Sequence, residues 1–157
     1  MKVLFLIAVT LLLTSCSSTS KDKYSDLYLR SEFTWWEAKP EFKFKTIKDS
    51  TDKSVMAKIE ADGNAYHIKV ADNQWSQDKN CGYKHSKDRV IVLDKWIELE
   101  CSYDFEKLNS TPIQKPLELK PIETSFYTFT LKMTVNGPSH IKVNRISAPN
   151  ISKSNRD

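Results

Sequence analysis

The stretch Val55-Met56-Ala57-Lys58-Ile59-Glu60-Ala61-Asp62-Gly63-Asn64-Ala65-Tyr66-His67-Ile68-Lys69-Val70 decides the fold class. Apolar side chains stand at 55, 57, 59 and 61 and again at 66, 68 and 70, with Lys58, Glu60, His67 and Lys69 between them. A period of two puts one set of side chains on a buried face and the other on the opposite face, which is the signature of a half-buried strand. Asp62-Gly63-Asn64 tolerates positive φ and reverses the chain, so the segment is expected to be a β-hairpin.

The same period extends in both directions. Upstream, Leu27, Leu29, Phe33 and Trp35 alternate with Tyr28, Arg30, Glu32 and Thr34, and Phe42 and Phe44 alternate with Lys43 and Lys45 after Pro40. Carried through, this alternation turns Trp35 inward and leaves Trp36 on the other face; Trp96 is also expected in the core, and Trp75 fits either place. Downstream, Val90 to Leu93 and Trp96 to Tyr103 flank Asp94-Lys95 and predict a second hairpin. Pro112, Pro116 and Pro121 forbid a central strand over 111–121 and point to an edge segment or a crossing between sheets. Phe126 to Val135 is the longest strand candidate, and Asn136-Gly137-Pro138 leads into His140 to Ile146. Short strands, frequent turns and no helical period predict an all-β, immunoglobulin-like β-sandwich over 26–147, with a small barrel as the alternative and a frayed tail over 148–157.

The first residues are Met1-Lys2, an apolar run from Val3 to Leu13 broken by Thr10, and then Thr14-Ser15-Cys16. A bilayer crossing takes roughly 20 apolar residues, and this run has only the length of a signal-peptide core. Leu13-Thr14-Ser15-Cys16 resembles the bacterial lipobox, which implies that 1–15 is cleaved and that Cys16 is acylated, with 16–25 as a polar tether. Several acyl chains on one residue hold a protein on a membrane without embedding it, since each buried methylene contributes about 0.8 kcal/mol. Ser17, in place of Asp, implies the outer membrane of a Gram-negative cell in such lipoproteins.

With Cys16 acylated, Cys81 and Cys101 remain, and an even pair in an oxidising compartment predicts one disulfide. A thiol nucleophile helped by His85 is the other reading of these residues, but no third orienting group accompanies it. The net charge of the chain is +4 and its lysines are interleaved with acids, so the concentrated basic stripe of a nucleic-acid binder is missing. Gly63, Gly82 and Gly137 are too far apart for a phosphate loop or a nucleophile elbow. His67, His85 and His140 lack zinc-ligand spacing. The expectation is a protein that is not an enzyme and carries no cofactor or metal.

Aromatic residues concentrate at Phe33-Thr34-Trp35-Trp36 and at Asn73-Gln74-Trp75. An indole offers a flat apolar face that suits the C–H face of a sugar ring. Leu27-Tyr28-Leu29-Arg30-Ser31-Glu32-Phe33-Thr34-Trp35-Trp36 resembles the opening strand of the glycogen- and starch-binding immunoglobulin-like modules found beside pullulanases and branching enzymes, usually Leu-Tyr-Leu-Arg-Gly-Ser-Phe-Asn-Gly-Trp. Tyr66-His67-Ile68-Lys69-Val70-Ala71-Asp72-Asn73-Gln74-Trp75 resembles their Tyr-x-Phe-Lys-Val-x-Asp-x-x-Trp strand. The resemblance spans residues 27 to 80 and implies that Trp36, Lys69 and Trp75 hold an α-glucan. Two departures stand out: Ser31 replaces a glycine, and Thr34-Trp35 replaces Asn-Gly. The functional expectation is therefore a non-catalytic lipoprotein, attached to the membrane through Cys16, that presents aromatics to an α-glucan or envelope glycan. The alternative is a lipoprotein that docks on an envelope protein of an assembly or secretion machine.

Overall fold

The computed structural model describes residues 22–101 and 115–146. Cys16, the lipobox and the tail over 148–157 lie outside the described residues. Nine strands are described: β1 (Tyr28–Ser31), β2 (Lys45–Thr46), β3 (Lys53–Ile59), β4 (Tyr66–Ala71), β5 (Gly82–Tyr83), β6 (Trp96–Glu100), β7 (Leu117–Leu119), β8 (Ser125–Thr134) and β9 (Gly137–Ile146). They form a three-stranded sheet in the order β1-β4-β7 and a six-stranded sheet in the order β2-β3-β8-β9-β6-β5, with every strand pair antiparallel. The expected all-β sandwich is thus what the chain forms, as two sheets rather than a closed barrel. The described residues contain three short 3-10 turns and no helix long and apolar enough to cross a membrane.

The period of two explains how the sheets close. Leu29, Ile68, Val70, Leu117 and Leu119 from one sheet, with Leu27 just before β1, meet Val55, Ala57, Ile59, Tyr127, Phe129, Leu131, Ile141 and Val143 from the other, all nearly or fully buried. Each such aliphatic or aromatic side chain contributes roughly 1.5–3 kcal/mol when removed from water. The predicted disulfide is present between Cys81 and Cys101. It joins the two layers, because Cys81 pairs its backbone with Val70 of β4 while Cys101 follows β6.

The β8–β9 hairpin is where the sequence places it, with Thr134 opposite Gly137. Gly137 takes φ +107°, and a Cβ there would lie 2.7 Å from the Tyr24 ring, so both the turn and the packing demand glycine. Two expected hairpins do not form. β3 pairs with β2 and β8 while β4 pairs with β1 and β7, so the Asp62-Gly63-Asn64 turn carries the chain from one sheet to the other. Residues 90–93 form no strand beside β6; Val90 instead makes a parallel bridge to Glu118, and β6 pairs with β5 and β9. The proline-bearing segment supplies β7, an edge strand, in agreement with the edge reading.

Candidate functional site

β1 ends in a 3-10 turn, Glu32–Thr34, and not in continued strand. Thr34 closes it: its buried hydroxyl accepts from the Ser31 amide at 3.0 Å and donates to the Ser31 carbonyl at 2.9 Å. The turn then ends with the Trp35 amide donating to Glu32 O and the Trp36 amide to Ser31 O, both at 2.9 Å. These paired bonds form a Schellman closure, whose first residue past the turn is ordinarily a left-handed glycine. Here that residue is Trp35, with φ 57°, followed by Trp36 at φ 58°. A side chain in this region costs about 1–2 kcal/mol relative to the right-handed conformation.

The second loop follows β4. Asp72 is buried, and its carboxylate accepts from the Gln74 amide at 3.1 Å, the Ser76 amide at 2.8 Å and the Ser76 hydroxyl at 2.6 Å. This tight cage forces Trp75 into the left-handed region as well, at φ 58°. Lys79 ties the loop to the segment before β1 through Asp26 at 2.9 Å.

Arg30 joins the two loops. Its Nε donates to Trp36 O at 2.7 Å, its Nη2 also donates to Trp36 O, and its Nη1 donates to Asp72 O at 2.7 Å. The guanidinium carbon lies 4.2 Å from the centroid of the Trp75 ring. Burial lowers the pKa of this guanidinium and Asp72 opposes that effect, but an arginine stays cationic in proteins. A planar cation against an indole is attracted by the ring quadrupole. The outcome is a half-buried aromatic pair, Trp36 and Trp75, with centroids 6.3 Å apart and planes inclined by 42°.

Two of the three residues singled out in the sequence therefore converge. Lys69 behaves differently: it stands opposite Arg30 in the β1–β4 register, yet it is fully enclosed, which is not the placement of a surface donor. Trp35 reverses its expectation, with 79% of its surface exposed, because the 3-10 turn breaks the alternation that turned it inward. Trp96 is also partly exposed, beneath the Lys142 ammonium at 4.9 Å. Arg30 was missed, although an arginine beside aromatics on the outward positions of a strand, with Asp72 and Ser76 spaced for an Asx turn, is a readable signal.

A cavity of about 510 Å³ lined by Asp22, Tyr24, Thr46, Lys53 and Met133 among others contains none of these tryptophans. Its cation is engaged, with Lys53 Nζ 2.6 Å from Asp22 and 3.2 Å from the Thr46 hydroxyl.

The fold and the aromatic pair define an immunoglobulin-like β-sandwich with a half-buried indole pair in the loops that follow β1 and β4 of its smaller sheet. No protein-family model and no curated protein matches the chain. Among solved structures it is similar in fold to one described as "Ligand induced structure of AmyP-SBD", with a TM-score of 0.53 and 16% identity, covering 93% of this chain and 97% of that one.

Proposed function

We propose that this chain is a non-catalytic, membrane-anchored glycan-binding module whose site is the Trp36–Trp75 pair. The observation that carries the reading is that one buried arginine holds both loops at once, bonding the main-chain carbonyls of Trp36 and Asp72 while its guanidinium lies against the Trp75 indole. Three left-handed tryptophans in two loops have the same meaning, since local strain persists where the surroundings impose it and concentrates at binding sites. A tilted pair suits a chain that curves, as an α-glucan does, better than a flat ribbon. The fold likeness to AmyP-SBD, a starch-binding domain, supports the same ligand class. Because Lys69 is enclosed, the reading assigns sugar contact to the indoles and none to Lys69.

Docking on an envelope protein by strand addition has less support. The edge strands β2 and β5 hold two residues each and β7 holds three, while the Phe44 amide bonds to Leu27 O beside β1. Short edges are poor templates for another chain.

Stacking at a wet surface gives modest net energies, so affinity is expected in the micromolar to millimolar range, about −8 to −4 kcal/mol. Calorimetric titration with maltoheptaose is expected to give heat for the wild type, and Trp36→Ala or Trp75→Ala is expected to weaken binding at least roughly tenfold, about 1.4 kcal/mol. No heat for the wild type, or affinity unchanged in both variants, sinks the site.

Anchoring is tested separately. Cys16→Ala is expected to abolish palmitate incorporation and to leave an uncleaved precursor. Normal processing and labelling of that variant would count against the lipoprotein reading.

A further inference from the structure

We propose that Trp35 is a third sugar-contacting residue that extends the Trp36–Trp75 platform toward a neighbouring unit of a longer glucan chain. The inference rests on the glycan-binding reading above and goes beyond it by naming a residue and a dependence on chain length.

Three observations converge on this indole. First, Trp35 occupies the left-handed position of a Schellman closure, φ 57°, with its amide bonded to Glu32 O. Glycine is the residue that meets this conformation without strain. The turn itself is kept, because Thr34 supplies the hydrogen bonds that close it. Second, the side chain gives the fold little in return: 79% of its surface is exposed, against 44% for Trp96. A bulky residue at a strained backbone position that buries little of itself is poorly explained by stability. Third, it directly precedes Trp36, its Cα one step of about 3.8 Å away, so the exposed indole springs from the same turn as one member of the pair. The Trp36 carbonyl is held by Arg30, whereas Trp35 is the residue that caps the turn.

A third stacking surface has a specific consequence. A disaccharide is covered by the pair alone and gains nothing from Trp35, whereas a chain of several glucose units reaches it. Trp35 therefore makes affinity depend on chain length.

The test uses the mature protein purified in a polyoxyethylene detergent, because maltoside detergents would compete for the site. Wild type, Trp35→Gly, Trp35→Phe and Trp36→Ala are titrated with maltose and with maltoheptaose, and their thermal midpoints are recorded. Trp35→Gly is expected to melt within about 2 °C of wild type, since the relief of backbone strain offsets the greater freedom of glycine in the unfolded chain. Its affinity for maltoheptaose is expected to fall about tenfold while that for maltose stays unchanged; Trp35→Phe, which keeps an aromatic face, is expected to retain most of the binding. If wild type binds maltoheptaose through Trp36 and Trp35→Gly binds it equally well, the role of Trp35 is overturned and the pair stands. If wild type binds neither sugar, both readings fall together. An equal loss of maltose and maltoheptaose binding in Trp35→Gly would overturn the chain-length role, showing that the residue only shapes the turn.

Discussion

Replacing both Cys81 and Cys101 by alanine is expected to lower the stability of the folded domain by about 3 kcal/mol, by the chain-entropy estimate for a loop of this length. The two cysteines are 20 positions apart, and the closed loop includes β5 and β6. Cross-linking removes unfolded conformations, and the longer the loop the more it removes. The position of the bond adds to its importance. Cys81 is hydrogen-bonded to Val70 in the smaller sheet and Cys101 follows the strand β6 of the larger one, so the bond crosses the sandwich near the loop that carries Trp75. For a domain whose total stability is of the order of 5–15 kcal/mol, a loss of this size is large. Guanidinium unfolding of the oxidised wild type, the reduced wild type and the double variant checks it. The midpoint should fall together for the last two, and the slope should rise as the unfolded chain expands. Coincident midpoints for oxidised and reduced protein would show that the bond constrains nothing.

The sandwich was legible in the chain because period-two alternation reports directly on which side chains face the core. Val55, Ala57 and Ile59 point inward in β3, as do Phe129 and Leu131 in β8, where the pattern places them. Sheet membership was not legible. Both sheets face one core, so strands on either side of Asp62-Gly63-Asn64 show the same alternation whether the chain returns to its own sheet or crosses to the other. Turn residues state that the chain reverses, and the partner is chosen by long-range packing. The segment 90–93 fails for a related reason: an apolar run beside a turn looks like a strand, although Val90 and Val92 are half exposed.

At the site, the convergence of Trp36 and Trp75 was accessible through the resemblance, and the means of convergence was not. Alternation past Ser31 assumes that the strand continues, and the Thr34 hydroxyl bonds that end it are a local competition between side chain and backbone. That one turn reverses the fates of Trp35 and Trp36. Arg30 looks like an ordinary outward arginine until the two loops it bonds are known.

Lys69 leads to the other large expected effect: the domain should gain stability as pH rises from about 7 to 9, and Lys69→Met should remove that gain. The side chain is fully enclosed, beside Arg30 in the β1–β4 register, and it is pushed down to about 7 by burial and by the positive charge of Lys115. In the unfolded chain its pKa is the ordinary 10.5. Between these values the unfolded state binds the extra proton, so stability rises with pH across that window. Below 7 the ammonium is charged in both states, and above 10.5 it is neutral in both, so the dependence is confined to the window between them. The slope inside the window approaches about 1.4 kcal/mol per pH unit, which gives roughly 2 kcal/mol between pH 7 and 9. The upper limit of pH 9 keeps clear of Tyr66, whose phenol is raised above its ordinary value by burial and by Asp62, and of Lys23 and Lys79, which are raised by their carboxylate partners. Methionine is close to lysine in volume, so the enclosed space stays filled. Urea midpoints of wild type and Lys69→Met at pH 6, 7, 8 and 9 are then compared. The stability of the wild type relative to the variant should rise by roughly 2 kcal/mol from pH 7 to 9; parallel curves would mean that the enclosed amine keeps its proton throughout.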